Sequence, residues 1–222
     1  MLKMILFLCL AAGSLSAAGP DSLKLEISFG QDPAVYEESD YGEAPQVAIW
    51  LLDSLSGQVK TVYVTYRTAS GDFYGKTECP VSLPVWIAAW RRETGRTDFP
   101  TLRDKAAEAI TRATSQDGQV HAETKVAAGR RYLCYIEMNV AGDFNTAYPL
   151  ERQDGTLDNH GNGQPSLIFC AALTAVEGAK AAPAPIGRTE QYGYTGEIIH
   201  DLEGLDSALK CLTNLSVTCS AN

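Results

Sequence analysis

Residues 46–52 read QVAIWLL and residues 59–67 read VKTVYVTYR. The first is a continuous apolar run, the pattern of a strand buried on both faces. The second is rich in β-branched and aromatic residues, which suit a pleated, half-buried surface. The intervening SLSG at 54–57 predicts a hairpin with a four- or five-residue loop.

The same period continues on either side. In LKLEISF at 23–29, Leu23, Leu25, Ile27 and Phe29 share one face, as in a half-buried strand. In RRYLCYIEMNV at 130–140, Tyr132, Cys134, Ile136, Met138 and Val140 do so. Residues 119–127, 166–175 and 214–219 predict further strands, while 30–45 and 68–81 read as loops and 178–185 as a linker. The period changes only once. Residues 84–92 (PVWIAAWRR) set Trp86 and Trp90 four apart behind a proline, which suits the first helical position. Residues 100–114 (PTLRDKAAEAITRAT) carry an apolar stripe of Leu102, Ala106, Ala109, Ile110 and Ala113, at helical spacing. Strands surround one short helical insertion at about 84–114, with no βαβ rhythm. The reading is a mainly β chain, an antiparallel β-sandwich of immunoglobulin-like type. Its expected core includes Trp50, Val62, Val64, Tyr132, Cys134, Ile136 and Phe169.

The chain has 222 residues, enough to bury a core without help from metals or disulfides. Its formal charge of −9 excludes a nucleic-acid partner, which needs a Lys/Arg field. Lys3, the apolar MILFLCLAA at 4–12 and the small residues GSLSAAG at 13–19 form the three parts of a secretory leader. Cleavage is expected after Ala18, with Ser16 and Ala17 as alternatives. The expected organisation is a signal peptide over 1–18 and one domain with a C-terminal extension over 19–222, periplasmic or secreted, with no membrane span. Loss of Lys3 leaves 17 basic against 27 acidic side chains, a charge of −10. Five cysteines remain: Cys79, Cys134, Cys170, Cys211 and Cys219. An odd number leaves at least one thiol without an internal partner, and spacing assigns no pairing. No C-x-x-C occurs, so neither a thioredoxin-type site nor a four-thiolate zinc site is supported.

Pro45, Val47, Ala48, Ile49 and Trp50 are followed by Gly57, Val59, Lys60 and Thr61. Trp86 and Trp90 come next, then EAITRAT at 108–114, then Gly129, Tyr132 and Glu137. On these residues the chain, over about 45–138, resembles a bacterial family of predicted periplasmic proteins, the domain of unknown function 2271. The Trp-Asp-Gly turn and V-P-x-G of that family are absent, and residues 139–222 have no counterpart in it. The resemblance implies a secreted, immunoglobulin-like module and no established activity.

Residues 108–114 carry the sharpest chemical expectation. Covalent flavin carriers outside the cytoplasm share an acidic residue, two variable positions, Ser/Thr, Gly, Ala and Thr. A Mg²⁺-dependent transferase moves FMN from FAD onto the last hydroxyl as a phosphoester. Glu108, Thr111, Ala113 and Thr114 are similar to that pattern, with Arg112 in place of Gly and Glu in place of Asp. The expected partner is then a flavin transferase. The other reading makes Thr114 the last residue of an amphipathic helix. Trp86 and Trp90 could stack on an isoalloxazine or sugar ring, or cover one end of the sandwich. Asp154, Asp158, Asn159, His160 and Asn162 gather oxygen ligands of the kind Ca²⁺ takes, but without EF-hand spacing, so a polar turn is the simpler reading. His121, His160 and His200 show no zinc spacing, and no serine sits on a nucleophile elbow. Two readings stand: a non-enzymatic accessory of a periplasmic redox system carrying FMN, and a cofactor-free module that binds a ligand or an unidentified protein.

Overall fold

The alternation at 23–29 becomes strand β1 (Ser22–Gln31), and the hairpin becomes β2 (Gln46–Asp53) and β3 (Val59–Val64). The computed structural model describes residues 21–71, 82–101, 118–193 and 195–222. Within them follow β4 (Gln119–Ala127), β5 (Arg131–Asn139), β6 (Leu167–Thr174), β7 (Lys180–Ala181), β8 (Ala184–Arg188) and β9 (Leu212–Ser220). Four helices accompany them: α1 (Pro33–Tyr36), α2 (Tyr66–Ser70), α3 (Pro84–Thr94) and α4 (Ala208–Cys211). One sheet has the order β4-β1-β9-β7 and the other β3-β2-β5-β6-β8. Every strand pairing is antiparallel.

The inner faces of the two sheets share one core. Leu25, Ile27 and Phe29 from β1 and Val217 from β9 meet Ile49, Ile136 and Phe169 from the other sheet. A second core lies on the outer face of the five-stranded sheet. There α3 lays Trp86, Ile87 and Trp90 against Ala48, Trp50, Val64 and Ile168. The uninterrupted QVAIWLL now has its cause: Val47, Ile49 and Leu51 face the partner sheet, while Ala48 and Trp50 face α3. Each such large side chain contributes about 1.5–3 kcal/mol by leaving water. Helix α3 starts with Pro84 and stops at Gly95, whose φ of 74° suits a residue without Cβ and whose N–H donates to the Arg91 carbonyl.

Several expectations need correction. Trp50 and Val64 are buried, but beneath α3 rather than between the sheets. Trp50 stacks on Tyr135 with ring centroids 5.2 Å apart. Tyr132 is only half-buried. Strand β3 ends at Val64, because the Thr65 hydroxyl ties back to Gln46 Oε1 at 2.8 Å and to the Val47 N–H at 3.2 Å, and α2 begins beside it. The loop at 30–45 contains α1, capped by Asp32, which accepts the Ala34 N–H at 3.0 Å. The linker-like 178–185 forms β7 and the start of β8, each at a sheet edge, where prolines cost no ladder bond. Within β9, Asn214 takes φ of 54° where the register with β1 shifts, the left-handed residue of a bulge. The expected leader at 1–18, Cys79, and the helix expected over 100–114 beyond Thr101 lie outside the described residues. Cys134, Cys170, Cys211 and Cys219 are free thiols.

Candidate functional site

Glu108, Thr111 and Thr114 lie outside the described residues. Trp86 and Trp90 do share a helical face, but they are 0% and 3% exposed. Their rings tilt against each other with centroids 6.3 Å apart, and the Trp86 indole donates to Thr61 Oγ1 at 3.2 Å. A ring that stacks on a ligand must present a face, and neither does, so the stacking expectation is corrected in favour of packing.

The buried polar group of this layer is Glu137. The alternation that sends Ile136 and Met138 into the sandwich core turns Glu137 outward, under the start of α3. It is 0% exposed. Its Oε2 accepts the Trp86 N–H at 2.6 Å, and Oε1 accepts the Val85 N–H at 3.2 Å and the Ser166 hydroxyl at 2.6 Å. Leu83, at the cap position, supplies no side-chain bond, so a carboxylate from another strand satisfies the free N–H groups of the helix. Burial pushes its pKa up to about 7 against the opposing pull of those three donors. Ser166 Oγ also lies 3.0 Å from Thr189 Oγ1, which makes a buried chain Glu137–Ser166–Thr189. This is a structural carboxylate: its oxygens are spent on protein donors and its surroundings are packed.

At one end of the sandwich, the twenty-seven residues 140–166 connect β5 to β6. Loops of that length without regular structure are uncommon and most often functional. Side chains hold this one from within. Asn145 Oδ1 accepts the N–H groups of Ala147 and Tyr148 at 2.9 and 2.8 Å. Asp158 accepts those of His160 and Gly163 at 3.2 and 2.9 Å. Asn139 donates to the carbonyls of Asn162 and Gln164 at 3.2 and 3.0 Å. Gln191 and Tyr192 both donate to the Pro149 carbonyl, at 2.9 and 3.0 Å. Both Asp158 oxygens are thus used on backbone. Asp154 likewise accepts the Thr156 N–H at 3.0 Å, so the two acids of the 154–164 cluster brace its turns.

Under this loop lies a polar node. Gln164 Nε2 reaches Asp143 Oδ2 and Asp206 Oδ1, each at 2.8 Å. The Ser207 hydroxyl lies 2.8 Å from both Asp143 oxygens. Burial raises the Asp143 pKa. At Asp206 burial acts the same way, but the Ser207 N–H and neighbouring side chains outweigh it and the pKa falls. Gln31, Asn139 and Gln191, at the same end, keep buried side-chain atoms with no hydrogen-bond partner, where most native groups are satisfied. The loop tip is a short hairpin, Glu151 opposite Leu157, and it exposes Leu150 (49%) and Leu157 (47%).

Sequence reasoning did not assign Glu137, Asp143, Gln164 or Ser207 to a site. For Glu137 a signal was present: a lone acid within an apolar strand run, on the face that a Trp-bearing helix must cover. The node had none, because Asp143, Gln164 and Ser207 are 21 to 64 residues apart in sequence. No protein-family model, curated protein or solved structure matches the chain.

Proposed function

We propose that the protein is an exported, non-enzymatic recognition module of immunoglobulin-like topology that binds a protein partner through its 140–166 loop. The observation that carries this reading is the loop itself. It is long, braced by side chains within it and beside it, and opens two leucines to solvent at its tip. Leu150 and Leu157 are about half exposed, so bracing places apolar contact area where folding does not use it.

Strand order supports the topology. Immunoglobulin domains pair strands B and E in one sheet and order C′-C-F-G in the other. Here β1 pairs with β4, and β3-β2-β5-β6 follow in that order. Strand β9 takes the place beside β1 that strand A holds in such domains. A tyrosine at the start of strand F, two residues before a cysteine, bonds back to upstream backbone in that fold. Tyr132 stands two residues before Cys134, and its hydroxyl accepts the Ala127 N–H at 3.1 Å. The inward Trp of antibody domains has no counterpart, since Trp50 faces α3. Of the residues that resemble family 2271, Val47–Trp50 lie on β2, Val59–Thr61 on β3, Trp86 and Trp90 on α3, and Tyr132 and Glu137 on β5; export is carried by that resemblance and by the leader-like residues 1–18.

A photo-crosslinking residue at Leu157, with Leu55 (80% exposed) at the opposite end as control, tests the loop in the exporting cell. A discrete adduct from position 157 and none from 55 is expected. Equal labelling from both refutes the loop as a docking site. Covalent FMN at Thr114 is the second reading, carried by the 108–114 pattern. Intact mass after co-expression with an FAD-dependent flavin transferase and Mg²⁺ decides it. Added FMN mass lost in Thr114→Val supports that reading, and no added mass ends it.

A further inference from the structure

At the other end of the sandwich the free edges of β3 and β4 face each other across a gap. A cavity of about 550 Å³ opens there, within the size range of small-ligand sites. Leu51, Val59, Val126 and Tyr132 form its floor, and Lys60, Lys125 and Arg92 its rim. The cations are steered by neutral groups. Lys60 Nζ donates to the Lys125 carbonyl at 3.3 Å, and Arg92 Nη2 to the Gly57 carbonyl at 2.8 Å. Gly57 is required for this approach: its φ is 68°, and a Cβ there would stand 2.8 Å from Arg92 Nη2.

The two carboxylates on the wall only partly offset this rim. Asp53 is occupied by the Leu55 and Ser56 N–H groups at 2.8 and 3.0 Å and by Arg130 at 2.7 Å. The Ser56 N–H foremost, with Leu55 and Arg130, holds its pKa below the usual carboxylate range. Glu93 accepts the Thr61 N–H with both oxygens at 3.0 Å and the Thr61 hydroxyl at 2.5 Å. Three cations against one unneutralised carboxylate leave local positive charge on a chain of −9. Arg92 spends one of its five N–H donors on Gly57, which leaves the rest of its planar fork for a carboxylate or phosphate.

We propose that this groove binds a small organic oxyanion, a carboxylate or phosphate ester, with its charge among Lys60, Lys125 and Arg92 and its apolar body over Tyr132. The site lies at the end of the sandwich opposite the 140–166 loop, so it stands independently of the loop's role. The test is calorimetric titration of the full mature chain at low ionic strength with citrate and, separately, with inorganic phosphate. Saturable binding of either at millimolar Kd or tighter is expected, weakened by added salt. Binding of citrate alone assigns a carboxylate, and of phosphate alone a phosphate ester. Arg92→Glu and Lys60→Glu should each weaken it about tenfold or more, since a like charge at the rim repels the ligand. Lys180→Glu, an exposed lysine on β7, should leave it unchanged. Circular dichroism confirms that each variant is folded. No saturable heat from either anion, or an equal loss in Lys180→Glu, overturns the proposal.

Discussion

Replacing Glu137 by Gln should make the protein more stable at alkaline pH and leave it nearly unchanged at acid pH. The carboxyl is fully buried, and its pKa rises from 4.5 to about 7 because burial disfavours the charged form. The folded state therefore binds a proton more tightly than the unfolded chain. The stability this contributes is complete below about pH 4.5 and is lost as pH climbs through 7. At 1.36 kcal/mol per pH unit, the change between pH 5 and pH 8 is about 2.5 kcal/mol. The buried hydroxyls can accept a hydrogen bond from the protonated carboxyl. A protonated Oε1 donates to Ser166 Oγ, 2.6 Å away, and the Ser166 hydrogen turns to Thr189 Oγ1 at 3.0 Å. Gln has nearly the volume of the protonated acid and donates to Ser166 Oγ as that acid does, so it holds the neutral state at every pH; its amide nitrogen gives up only the 3.2 Å acceptor for the Val85 N–H. Urea unfolding followed by the fluorescence of the neighbouring Trp86 and Trp90 measures the difference. With an m-value of about 2 kcal/mol/M, the variant's midpoint should exceed that of the natural protein by roughly 1.7 M at pH 8 and by only roughly 0.4 M at pH 5. A variant less stable at pH 8 would refute the reasoning, since the three donors around Glu137 would then hold it ionised against the cost of burial.

Trp50→Ala should cost about 3–5 kcal/mol, read by denaturant unfolding, because the ring is buried between Tyr135 and the α3 layer; a loss under 1 kcal/mol, roughly, would show that α3 does not seal that face. Tyr132→Phe should cost about 1 kcal/mol in the same assay, since only the bond from the Ala127 N–H is removed; no change would remove the corner's structural role. Thiol titration at pH 8 should find Cys134, Cys211 and Cys219 unreactive until urea is added, because burial pushes all three thiols up and the thiolate is the reactive form; rapid reaction of these three in the native protein would contradict their placement.

Much of this architecture was legible because period 2 and period 3.6 leave different traces. The alternation at 23–29 and 130–140 marked the inner faces of β1 and β5, and the unbroken QVAIWLL marked a strand covered on both sides. That run did not say what covered each side, so the burial of Trp50 was legible and the layer that buries it was not. A third layer has no local signature in a strand; it is implied only when a double-sided strand and an amphipathic helix are considered together. The edge strands β7 and β8 were hidden for the opposite reason, since GAKAAPAP at 178–185 has neither alternation nor bulk, and pairing at a sheet edge tolerates both deficits. The polar features resisted reading more deeply. Asp143 meets Ser207 across 64 residues, and Lys60 meets Lys125 across 65, distances over which spacing carries no geometric information. Glu137 lies between these cases. Its place in an apolar strand required a partner, and the nearest free donors in a mainly β chain are at the start of its one long described helix. An acid inside a buried strand thus pointed to the helix it caps, and through that contact to the third layer of the fold.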